Sequence, residues 1–245
     1  GITQTLGIIT AGALTISSTG DVDLTKANQV QSTGTISTGT NFFHFANAGG
    51  FNVGGSIIAG NVELTAGGTG SITQTSSTVA AATLTATAGG DISFDRANSV
   101  GLYNAQAGTG RTITLRNYAD LVVKAITAQD GTVNLTSNTG SVGQQVVPGN
   151  SIWTGTLNAN AAAGIDLSQY NYVNTLGNLS AADSIRYNSA GTLMLGGNIR
   201  AGGTLAMNVG GYIGQLTGTI AADHLDLNAR SEEHTSELQS HSDLV

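Results

Sequence analysis

The sequence predicts an all-β protein, a parallel β-helix (solenoid) of about ten rungs of roughly 23 residues. Three observations predict it. The chain repeats itself at about seventy residues, its apolar residues alternate in short runs, and its composition is rich in Gly with almost no Pro. Of 245 residues, 35 are Gly and one is Pro, and charged residues make up only 9%. Low charge with 40% apolar content opposes a solvated disordered chain.

The repeat comes first, because self-similarity at a fixed period marks stacked architectures. Sliding residues 1–30 onto residues 71–100 gives 12 identities without a gap. "GDVDLTKANQV" at Gly20–Val30 thereby meets "GDISFDRANSV" at Gly90–Val100. A weaker third copy lies at Gly155–Val173, and a fourth opens at Thr219–Leu227. The glutamines that close the preceding phrase stand at Gln4, Gln74, Gln144 and Gln215, spaced 70, 70 and 71.

The repeating element is a short strand. In chain order the alternating pairs include Leu14/Ile16, Val22/Leu24, Val62/Leu64, Ile92/Phe94, Ile113/Leu115, Val133/Leu135, Leu193/Leu195 and Leu205/Met207. Each pair straddles a small polar residue, and each run is bounded by Gly, Asn or Asp. Period two with turn punctuation means strands, and so many Gly, Thr, Val and Asn oppose helix. Three rungs of about 23 residues fill each seventy-residue unit. Asn28, Asn98 and Asn171 then fall at one recurring bend, where Asn tolerates left-handed backbone.

The last sixteen residues differ in texture. Arg230–Val245, "RSEEHTSELQSHSDLV", holds four of the fifteen acids and two of the four His. Its first part matches the translation of a standard short-read sequencing adapter, so 230–245 is set apart as a non-native tail and 1–229 as the repeat segment. That segment carries seven basic and eleven acidic residues, a formal charge of −4, and offers no electrostatic footprint for nucleic acid. A start at Gly1 in mid-pattern, without a capping element, reads as a piece of a longer rod.

"GNVELTAGGTGSITQ" and "GGTLAMNVGGYIGQ", set between "ATLTATAGGDISFDRANSV"-like segments, resemble the rod repeats of filamentous-haemagglutinin-like exoproteins. The resemblance covers essentially Gly1–Ala229. It implies a right-handed parallel β-helix, secreted to the bacterial cell surface by two-partner secretion or as an autotransporter passenger. The partners it implies are an outer-membrane transporter during export, flanking repeats of the same chain, and surface glycans or proteins of a host or neighbouring cell. The absence of Cys agrees with export of an unfolded chain.

Chemistry finds little support. The close carboxylate pairs in the rod, Asp21/Asp23 and Asp91/Asp95, read as solvated strand edges rather than a cation site. Lys26 and Arg96 recur in register beside them, and stacked every third rung they would form a regular charged patch. His44, among Phe42, Phe43 and Phe45, has no ligand-spaced partner and reads as a strand side chain. His224 has no nucleophile near it. No catalytic, cofactor or metal residues are therefore expected.

One irregularity stands out. "QQVVPGNSIW", Gln145–Trp153, lengthens the third junction and holds the single Pro and single Trp, while "SQYNYV" adds Tyr170 and Tyr172. Insertions in a solenoid become loops on one face, where binding concentrates. Pro148, Trp153, Tyr170 and Tyr172 are thus the candidate contact residues. The function expected is a structural, adhesive rod segment without catalysis. The alternatives are a polysaccharide-degrading β-helix enzyme, and an ice-binding β-solenoid suggested by Thr-x-Thr runs.

Overall fold

A computed structural model describes residues 1–230; the tail set apart above therefore lies, beyond Arg230, outside the described residues. The described chain forms 22 strands joined in one continuous sheet, every pairing parallel, and no helix. Each strand pairs with the strand one turn earlier and one turn later, which is the parallel β-helix expected from the alternation.

The coil is tighter than the sequence spacing suggested. One interior column runs Ile2, Val22, Phe43, Val62, Leu84, Tyr103 and Val123, and continues through Leu167 and Tyr187 to Leu227. That gives about 11 turns of about 20 residues instead of ten of 23. A seventy-residue unit therefore holds three and a half turns, not three. The expectation failed because it assumed a whole number of rungs per repeat.

The half turn rearranges every repeat-based prediction. Asn28 stacks over Asn47, Ala66 and Ala88. Asn98 stacks over Asn117, Ser137, Ala161 and Ala181, in a different column half a turn away. Only Asn171, two units on, returns to the side that carries Asn28. Lys26 and Arg96 consequently form no common patch; Arg96 instead lies 3.8 Å from Asp95 and donates to the Thr75 carbonyl at 2.6 Å.

Inward side chains fill a narrow core. Val22, Phe43, Phe45, Val53, Ile57, Leu64, Ile72, Ile92 and Phe94 are all buried, and small Thr, Ser and Asn residues alternate outward. Phe45 meets Phe51 edge-on across a corner with ring centroids 5.1 Å apart, the geometry favoured by aromatic quadrupoles. Corners stack as closely as strands do. A Cβ on Gly89 would overlap the carbonyl oxygen of Gly68 one turn before, and the Gly108 corner sits on Gly89 in the same way. Asp21, Asp91 and Asp120 brace other corners, their carboxylates accepting from the backbone N–H of Phe42, Thr112 and Ser141 in the following turn at 3.1, 2.8 and 2.7 Å.

On the outer face Asn134, Asn158, Asn178 and Asn198 form a ladder. Asn158 donates to the Asn134 amide oxygen at 3.0 Å, while the backbone N–H groups of Asn178 and Asn198 bond the amide oxygens of Asn158 and Asn178 at 2.8 and 2.9 Å.

Candidate functional site

The duplicated phrase builds a buried amide clamp. Gln4, Gln74 and Gln144 each donate through Nε2 to the Oδ1 of Asn28, Asn98 and Asn171, at 2.8, 2.7 and 3.0 Å. Each Asn returns a bond from Nδ2 to the Gln Oε1, at 3.1, 3.2 and 3.3 Å. The same Asn oxygens accept the backbone N–H of Ile9, Val79 and Ile152 at 2.8 Å. Their Nδ2 groups also reach the carbonyls of Leu24, Phe94 and Leu167, four residues back. One amide thus ties two turns and closes the loop that follows the glutamine. It does not act through left-handed backbone: among the described residues, the one non-glycine residue with positive φ is Asp130. The expectation of a bend residue is replaced by that of a buried clamp, because the amide is worth more inside, where backbone groups need partners.

Gln215 repeats the loop half of this arrangement, donating to the Gly218 carbonyl at 3.0 Å. The position 24 residues on is Gln239 rather than an asparagine, and it lies outside the described residues.

The third clamp differs from the first two in what surrounds it. Gln and Asn are 24 residues apart in the first two copies and 27 in the third. The extra three residues enlarge the loop Gln145–Ser151, in which Val146, Val147 and Pro148 are exposed and Asn150 is buried. Asn171 points inward, so strand alternation turns its neighbours Tyr170 and Tyr172 outward. Trp153 lies beside Tyr172 in register on the preceding turn, with ring centroids 6.2 Å apart and planes inclined by 50°. The three aromatics remain exposed, at 48% for Trp153, 67% for Tyr170 and 55% for Tyr172.

The structure therefore brings the four sequence-predicted contact residues to one place. Pro148, Tyr170 and Tyr172 line a cleft of about 580 Å³, with Trp153 tilted against Tyr172 from the preceding turn. Ser151 and Gln169 also face this cleft and were missed, because nothing in their type or spacing distinguishes them from other outward polar residues. Matching positions around the other two clamps are Thr10 and Ala80 for Trp153, Ala27 and Ala97 for Tyr170, and Gln29 and Ser99 for Tyr172. The aromatic side chains and the longer loop occur together, on one copy of a shared scaffold.

His44 is less isolated than its sequence neighbourhood suggested. The coil sets Asp23, His44 and Glu63 in register on three successive turns. His44 Nδ1 is 3.8 Å from Asp23 and Nε2 is 3.3 Å from Glu63. The imidazole thus separates the two carboxylates instead of joining them around a shared point. Among the described residues, no three His, Cys, Asp or Glu side chains gather as a metal site.

Comparison with known proteins adds the family. Residues 39–104 and 110–180 each match the family model described as Repeats of unknown function (DUF5649). No curated protein and no solved structure matches the chain. With more than half of its residues in two matched copies of about one unit each, the chain belongs to the Repeats of unknown function (DUF5649) family.

Proposed function

We propose that the chain is a non-catalytic rod segment of a secreted bacterial surface exoprotein of the filamentous-haemagglutinin-like type, and that it makes contact through the aromatic cleft of its third repeat. The observation that carries this reading is the placement of Trp153, Tyr170 and Tyr172 together on one clamp, where the two sister clamps carry Thr, Ala, Gln or Ser. A shaft that needs only to be long has no use for three large exposed aromatics on one repeat, since such residues dominate recognition surfaces.

The coil supports the rod part of the proposal. Eleven turns at a strand spacing of ~4.8 Å extend roughly 50 Å along the axis, and the core continues from turn to turn without interruption. Export through an outer-membrane transporter by two-partner secretion, followed by folding outside the cell, fits a Cys-free chain in which each turn packs only on its neighbours. Its partners are then flanking repeats of the same protein and glycans or proteins on a facing cell.

Two measurements test the proposal. Small-angle scattering should give the distance distribution of an elongated rod; a compact distribution would end the reading. Beads coated with the chain should adhere to bacterial or epithelial cells, and should lose that adhesion when Gln145–Ser151 is replaced by the four-residue loop Thr75–Thr78.

A further inference from the structure

We infer that the aromatic cleft binds a neutral, hydroxyl-rich oligosaccharide, with sugar rings lying against Tyr170, Tyr172 and Trp153; this rests on the reading that the cleft is the contact site. The chemistry of the walls points to that ligand class. The residues lining the cleft beside the tyrosines are uncharged, with Ser151 and Gln169 supplying a hydroxyl and an amide, while the buried Asn150 amide is bonded to Gln145. An anionic ligand would find no counter-charge there, and a strongly apolar one would find too little enclosed surface, since the rings remain about half exposed. A pyranose presents an apolar C–H face and a rim of hydroxyls. The first suits rigid aromatic faces and the second suits amides and phenols.

The surface also has a direction. Tyr170 borders a second recess, shared with Ser189, Asn208 and Asn228 and ending at Arg230. On the turns that follow Tyr170, the outward residues Asn188, Asn208 and Asn228 stand in register on the same side. Beyond the aromatics, hydrogen-bonding side chains therefore continue along the axis at one coil every ~4.8 Å. An extended sugar chain can lie along the rod with its first rings on the aromatics and later hydroxyls on this polar row.

The arrangement supplies its own probe, because Trp153 is the sole tryptophan. Titrating the full chain with cellohexaose, xylohexaose and mannohexaose should change the Trp153 emission saturably with at least one of them. Tyr170→Ala/Tyr172→Ala, both exposed, should keep the far-ultraviolet spectrum and weaken that binding by roughly ten-fold or more, the scale of lost aromatic contacts. Tyr170→Phe/Tyr172→Phe should retain most of it.

The inference is overturned if emission and calorimetry stay silent with all three sugars, if heparin-derived or polygalacturonate oligomers bind more tightly, or if the alanine variant binds as well as the parent. Adhesion to cells stripped of glycans that still depends on Tyr170 and Tyr172 would overturn the sugar assignment and leave the contact site standing. Adhesion indifferent to those tyrosines on intact and stripped cells alike would overturn the contact site itself.

Discussion

Tyr103 and Tyr187 stand four turns apart in the same interior column, yet only the Tyr103 hydroxyl has a partner. It lies 3.2 Å from both the Arg116 carbonyl and Asn117 Oδ1, whereas the Tyr187 hydroxyl is buried without a hydrogen bond. Removing a partnered hydroxyl costs about 1 kcal/mol, while removing an orphaned one relieves a desolvation cost. Tyr103→Phe should therefore lower the unfolding free energy by about 1 kcal/mol, and Tyr187→Phe should leave it unchanged or raise it. Urea denaturation of the two variants decides; equal losses would contradict the difference.

Burial pushes both phenols well above the ordinary tyrosine range near 10. A folded-state pKa raised above its unfolded value gives stability that is complete below the unfolded pKa and drains away above it. The denaturation midpoint should accordingly fall once pH passes about 10. The decline should be shallower in Tyr103→Phe/Tyr187→Phe, as circular dichroism against pH would record.

Asn98→Ala should be among the costliest polar substitutions in the rod. It strands the Val79 N–H and leaves one N–H of the Gln74 amide without its partner in a buried setting, an orphaned buried group costing about 1–3 kcal/mol. Asn98→Asp keeps the shape but turns a donor toward the Phe94 and Arg116 carbonyls into an acceptor, and should be at least as damaging. Thermal melts of both, beside an exposed control such as Asn138→Ala, make the comparison.

Replacing Gln145–Ser151 with Thr75–Thr78 should shift the melting temperature little. The second clamp already closes over that shorter loop, through Gln74 Nε2 and the Ser77 carbonyl at 2.6 Å. A large loss of stability would mean that the longer loop is part of the scaffold rather than an addition to it.

Gly89→Ala should destabilise sharply, because the added methyl meets the Gly68 carbonyl and relief requires two stacked corners to separate. Gly12→Ala, where a Cβ meets nothing, should be tolerated. The pair separates crowding from the general effect of losing glycine, read by the same melts.

The alternation of Leu14/Ile16 or Ile92/Phe94 was enough to foresee strands, and their seventy-residue recurrence was enough to foresee a coil. The length of one turn was not legible, because a repeat of the sequence need not close on a whole turn and nothing local marks the half. Gln74 and Asn98 were both visible as recurring residues, but their bond spans 24 positions and joins different turns. Separations of 21 and 19 positions likewise hid Asp23 and Glu63 from His44. Trp153, Tyr170 and Tyr172 were legible because large aromatics are scarce in so plain a composition, and Gln169 was not because outward polar residues are abundant in it.

A unit that closes on a half-integer cannot file its ornaments along one flank. Like leaves set alternately on a stem, neighbouring clamps face away from each other, and it takes two units to look the same way again. Any duplication of the unit thus transfers whatever its corner carries to the opposite flank, so lengthening such a shaft makes it two-faced without any change of fold. Two bodies lying on either side of it could then be engaged by adjacent units at once.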